Sequence, residues 1–165
     1  MHQTPEIRRS TTADAPAIGK LGALLMEMHH AMDPARFLPV TSQTADRYGE
    51  WVASQMANPD VVVLVAEREG QIIGYAYGGM EGIDYMALRG PAGVLYDIVV
   101  DPAARDTGVG SMLLQSVLLE LNSLGATQVV LSTAWQNEGA QRLFARAGFR
   151  RTMIEMTRDG GTDSP

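Results

Sequence analysis

The stretch VLYDIVVDPAARDTGVGSMLLQSVLLELNSLG, residues 94–125, restricts the fold more than any other part of the chain. An apolar, β-rich run ends at Asp101-Pro102, a polar loop follows, and a helical pattern begins directly behind Gly108-Val109-Gly110. A strand that becomes a helix through so tight a corner implies an α/β arrangement, with helices covering a sheet. The corner also has chemistry. The first N–H groups of a helix have no intrahelical partner, and the helix dipole places positive potential there, so that end attracts anions. Glycines at 108 and 110 allow a ligand to approach the backbone, and successive amides of RDTGVGS can converge on one point, as phosphate cradles do. The functional reading is an anion such as a pyrophosphate; the structural one is a tight turn that needs glycine. Spacing excludes two nucleotide motifs. No Lys-Ser/Thr follows the loop as in a Walker P-loop, and Leu113 stands where the dinucleotide pattern needs a third glycine.

The other segments extend this corner into one domain. EIRRS reads as a first strand, and TTADAPAIGKLGALLMEMHH as a helix with Ile18, Leu21, Leu24, Leu25 and Met28 along one face. A second helix is expected over about 44–57, after a loop with two prolines. VVVLVAEREGQIIGYAYGGM reads as an antiparallel hairpin around EREGQ, and a glycine-rich segment leads into the strand of residues 94–100. The helix of residues 108–123 stops at Gly125; the strand TQVVLST, a helix capped by Asn137 and closed by Gly148, and a last strand FRRTMIEMT follow. The expected domain covers residues 1–158, with 159–165 a frayed tail. At 165 residues and 45% hydrophobic content, one continuous core is sufficient. The formal charge of −6 argues against a nucleic-acid partner and mildly favours a cationic one. There is no cysteine, hence neither a disulfide nor a thiolate metal site nor an enzyme-bound thioester. No apolar run approaches the roughly 18 residues of a membrane span, so a cytoplasmic protein without a membrane partner is expected. No His/Asp/Glu group has metal-ligand spacing.

With these elements in place, DIVVDPAARDTGVGSMLL resembles the central motif of the GNAT superfamily of acyl-CoA-dependent N-acyltransferases. Arg105, Asp106, Thr107, Gly108, Val109 and Gly110 match its Arg/Gln-x-x-Gly-x-Gly/Ala signature. NEGAQRLFARAGF resembles its second cofactor motif, and the order of elements matches over roughly residues 6–157. The resemblance implies a mixed α/β sheet of six to seven strands, mostly antiparallel with one splayed parallel pair, and helices on both faces. It implies acetyl-CoA as co-substrate, with the pantetheine arm held in the wedge of the splayed pair. The Ile98 N–H would hold the thioester oxygen, Val100 would pair with the pantetheine amides, with Val99 between them also counted as cofactor-binding, and the amides from Asp106 to Ser111 would hold the pyrophosphate. Asn137, Ala140 and Phe144 would border the arm from the other side.

The implied reaction is direct attack of a primary amine, small or on a protein or peptide, on the thioester in a ternary complex. A non-catalytic acyl-CoA-binding sensor or regulatory domain is the alternative, and a homodimer is left open. Phe144 stands where the family often has a tyrosine to protonate the leaving thiolate. Tyr96, Tyr85 and Tyr77 are other donors, or the thiolate departs unassisted, since a thiol of pKa about 8.5 is a fair leaving group. Asp97 is placed by the resemblance beside the reaction centre, as a base or as a structural hydrogen-bonding group; strand alternation puts it on the face opposite Tyr96 and Ile98. His29, His30, Glu81 and Asp84 are the candidate contacts for the acceptor, the two acids suggesting a cationic one.

Overall fold

The computed structural model describes residues 3–160. Among them, five strands form one sheet in the order β1 (Glu6–Arg9), β2 (Val61–Arg68), β3 (Gln71–Glu81), β4 (Ala92–Val100) and β5 (Val129–Leu131). The first four pair antiparallel and β4 pairs β5 in parallel. The β2–β3 hairpin closes through Glu69 and Gly70 at φ 53° and 76°, the twist that a two-residue hairpin loop needs. Helices α1 (Ala15–Met32) and α2 (Thr44–Gln55) cover one face, where Ile18, Leu21 and Val52 pack on Val63, Val65, Tyr75 and Val99. Helices α3 (Val109–Ser123) and α4 (Glu138–Arg146) cover the other, where Leu113, Leu114, Val117 and Phe144 pack on Val62, Leu64, Ala76 and Leu95. No helix among the described residues is long and apolar enough to cross a membrane.

The α1–α2 contact is unusually close. A Cβ at Gly49 would lie 2.4 Å from Ala15 O, and one at Gly22 would lie 2.3 Å from the Tyr48 ring, so glycine alone permits this approach. The approach brings the Tyr48 ring over α1 and down to the sheet.

Two expectations are corrected. The sheet has five strands instead of six to seven, because the segment from Phe149 onward, expected to be a last strand, forms no ladder. The segment covers no face of the sheet: Met153, Ile154 and Met156 are 72%, 80% and 89% exposed. The segment is tied instead by side chains, Arg151 to Gln141 at 2.7 Å and Glu155 to Arg36. Strand alternation also fails at β4. The β3–β4 register passes from Tyr77↔Asp97 to Gly78↔Leu95, making Tyr96 an extra residue in a β-bulge. Tyr96 and Asp97 therefore share the α1/α2 face, Tyr96 stacking on Tyr77 at 4.8 Å, while Ile98 lies on the opposite face as expected. Of the expected tail, residues 161–165 lie outside the described residues.

Candidate active site

The parallel ladder between β4 and β5 ends at Leu95↔Leu131, yet β4 continues to Val100. Beyond Leu95 the two chains separate. Antiparallel hydrogen bonding alternates along a strand, and the Asp101 amide donates to Ile73 O at 2.9 Å, so the residues in phase with Asp101, Val99 and Asp97, face β3. Ile98 and Val100 thus turn their N–H and C=O groups to the open edge. There Arg105 folds back, its Nε donating to Val100 O at 3.2 Å and its other arm reaching Met28 Sδ.

At the end of this edge lies the corner. Asp106 and Gly108 have φ of 60° and 88°, left-handed values that bend the chain into α3. Met112 is the first helical amide with a backbone acceptor, Gly108 O at 3.0 Å, and among the described residues the amides of 106–111 have none. Gly110 does not owe its identity to packing: a Cβ there would approach nothing nearer than 3.5 Å, Leu143 Cδ2. Unpaired amides and open space above Gly110 suit an anion such as a pyrophosphate, and the open β4 edge suits an amide-bearing chain.

A cavity of about 390 Å³ opens where β4 leaves β5. Tyr96, Asp97, Ile98, Thr133, Asn137 and Phe144 line its sheet side, and Leu25, His29, Phe37 and Tyr48 its α1–α2 side. Asp97 is its chemical centre. Tyr48 and Tyr75 both donate to Asp97 Oδ2, Tyr75 at 3.2 Å, leaving Oδ1 without a protein partner among the described residues. Burial pushes the Asp97 carboxyl up from the usual 3.8 to about 6, with nearby His29 acting in the opposite direction. Burial likewise raises the Tyr75 hydroxyl, so it stays a donor at neutral pH.

The other sequence candidates are distributed unevenly. His29 lines the cavity; its Nδ1 lies 2.8 Å from Leu25 O, which can only accept, so Nδ1 carries a proton. His30 is not in the lining and donates from Nδ1 to Phe37 O at 2.8 Å, anchoring the loop between α1 and α2. Glu81 and Asp84 are also outside it. Arg89 holds Glu81 at 2.5 Å, and Glu81 accepts from Tyr96 Oη at 2.7 Å. Asp84 receives the amides of Ala87 and Met86, which with Arg89 hold its carboxyl below the usual range. Asn137 caps α4 through Oδ1, accepting from Ala140 N at 3.1 Å. Phe144 is buried against Phe149 and still borders the cavity; of the three candidate tyrosines only Tyr96 does. Sequence reasoning missed Tyr48 and Tyr75, because Tyr48, four residues before Val52 on α2, and Tyr75, alternating with Tyr77 on β3, both read as core.

The profile of the acetyltransferase (GNAT) family matches residues 25–149. A mycothiol acetyltransferase of Thermobispora bispora is 35% identical over 97 residues, covering 56% of this chain and 31% of that protein. The match therefore spans about a third of that relative's length. A mutant Bacillus halodurans protein has a similar fold, with a TM-score of 0.80 at 17% identity over 93% of this chain and 98% of its own. So does a Clostridium acetobutylicum protein predicted to be an acetyltransferase and solved with acetyl-CoA, with a TM-score of 0.68 at 16% identity over 93% and 96%. By the span of the family profile, which includes the open edge, the corner and α4, this chain belongs to the acetyltransferase (GNAT) family.

Proposed function

We propose that the protein transfers an acetyl group from acetyl-CoA to a primary amine, by direct attack within a ternary complex. The observation that carries this reading is the edge of β4 left open beyond Leu95↔Leu131, running from a cavity that contains Asp97 to a corner of unpaired amides. Acetyl-CoA supplies the acetyl group as a thioester. The chain's own groups do the rest. The amides of residues 106–111 bind the pyrophosphate, and the open peptide groups of Ile98 and the N–H of Val100 align the arm along β4. The Ile98 N–H, held in a strand next to a bulge, is rigid enough to stabilise charge that grows on the thioester oxygen. Asp97 Oδ1 takes the proton that the amine must lose, and Tyr48 and Tyr75 keep the carboxylate oriented by occupying Oδ2. Phe144, with no proton to give, excludes water from the wedge.

Calorimetric titration with CoA tests the cradle. Gly110→Asp has room to fold, since its nearest neighbours stand at 3.5 Å or more, but it puts a negative side chain beside the pyrophosphate site. Affinity should fall at least tenfold, about 1.4 kcal/mol. Equal affinity in the folded variant would remove the assignment, and CoA binding without thiol release in the presence of any amine would make this an acyl-CoA-binding regulatory domain.

A further inference from the structure

The proposed function leaves the acceptor unspecified, and the α1–α2 side of the cavity restricts it. Apart from His29 and the Tyr48 hydroxyl, which donates to the Asp97 carboxyl on the sheet, that side is apolar: Leu25, Met26, Phe37 and Leu38 form the wall and Gly22 the floor. Its one further charge, Arg36, is paired with Glu155 and stacks over the Phe37 ring at 5.0 Å. Among the described residues, no unpaired Lys or Arg thus lines that side to hold a phosphate or carboxylate. The acids that would hold a second ammonium group, Glu81 and Asp84, lie outside the lining and are held by Arg89. Phe37 is placed with some care: its N–H donates to Asp33 O at 3.0 Å, its carbonyl accepts from His30, and its ring meets His29 at 5.0 Å. A loop fixed at three points to present one aromatic ring at a cavity wall gives that ring a binding surface at little entropic cost.

Resting on the acetyl-transfer reading, we infer that the acceptor is a primary amine on a compact apolar body, aromatic or branched aliphatic, without phosphate, carboxylate or a second ammonium group. The complementarity is that of one acid facing one amine, with the apolar wall of Leu25, Met26, Phe37 and Leu38 on the α1–α2 side to receive the rest of the molecule. The ammonium form loses a proton to Asp97. The neutral nitrogen then forms the C–N bond as the C–S bond breaks, and its second departing proton ends on the thiol sulfur. The balance is ammonium plus acetyl-CoA giving amide, free CoA and one released proton.

The test measures thiol release with 2-phenylethylamine, a series of n-alkylamines, spermidine, glucosamine 6-phosphate and a lysine peptide, alongside CoA binding by calorimetry. Phenylethylamine should exceed spermidine and glucosamine 6-phosphate at least tenfold in kcat/KM. Each added methylene should raise kcat/KM about fourfold until the wall is covered, from the roughly 0.8 kcal/mol of a buried CH₂. Phe37→Ala should lower kcat/KM for phenylethylamine at least tenfold and leave CoA affinity unchanged; Phe37→Leu should recover part of the loss. If CoA binds and a charged acceptor is preferred, or chain length has no effect, the acceptor inference fails while acetyl transfer stands. If CoA binds and no amine is turned over, both fail and only the cradle survives. Absence of CoA binding would overturn the reading beneath it as well.

Discussion

The proposed base role and folding stability place opposite demands on Asp97. To accept a proton it must be charged, so kcat/KM should rise about tenfold per pH unit below about 6 and level off above it. Asp97→Asn should remove that limb and lower turnover by about 10²–10⁴. The stability effect has the other sign. A carboxyl whose folded value is raised holds its proton more tightly when folded; that contribution is complete below 3.8 and is lost as pH rises through about 6. At neutral pH the buried charge therefore costs stability, of order 1–3 kcal/mol. Asp97→Asn should be the more stable protein in denaturant titrations at pH 7.5, with the difference shrinking towards pH 4. A variant less stable at both pH values would mean that the bonds from Tyr48 and Tyr75 need the full carboxylate. The sequence showed Asp97 as a candidate beside the reaction centre. Its surroundings were not legible, because Tyr48, Tyr75 and Asp97 are 49 and 22 residues apart and only the packed layers bring them together.

At the level of elements, two glycines of the helical layer should respond differently to the same change. Gly49→Ala places a methyl group against Ala15 O, which is backbone, so the helices must separate. Overpacking of this kind costs about 1–3 kcal/mol, and the melting temperature should fall accordingly. Gly22→Ala collides with the Tyr48 ring, a side chain that can swing away. It should lose contact with Asp97, and turnover should suffer more than stability. Thermal melts and kcat/KM measured on both variants separate the cases; unchanged turnover in Gly22→Ala would show that the Tyr48–Asp97 bond is dispensable. The strand-to-helix corner was readable because its signals are local, from Asp101-Pro102 through Gly108 to the periodicity of α3. The β4 bulge was not. A bulge is set by pairing with β3, and no residue type announces it, so strict alternation put Tyr96 on the wrong face.

Across the whole molecule, one sheet separates two apolar layers, and cost should follow burial. Leu113 is fully buried between α3 and the sheet, and Leu113→Ala should cost about 2–5 kcal/mol. In a domain of this size that lowers the melting temperature by very roughly 5–15 °C. Ile154, equally apolar but 80% exposed on the extended segment, should be nearly silent as Ile154→Ser, within about 0.5 kcal/mol. Scanning calorimetry on the two variants distinguishes a core position from a surface one that sequence alone rates alike. A large loss in Ile154→Ser would show that the segment is packed in solution.

The sequence by itself determined the order of the elements, the glycine corner and the pairing of two apolar layers with one sheet, because each is encoded in spacing over a few residues. It also carried the family resemblance, since those motifs are contiguous. Tertiary structure alone decided which groups meet at the cavity. The same is true of the failure of residues 149–157 to form a strand: among the described residues the outer edge of β5 is free, yet the segment is tied by side chains to Gln141 and Arg36 instead. Glu81 and Asp84 look free in the sequence and are held by Arg89; His29 and His30 are adjacent, yet one borders the cavity and the other anchors a loop. Short-range periodicity fixes what a segment becomes, whereas pairing, charge partners and burial depend on residues tens of positions away, which only the assembled layers bring within reach.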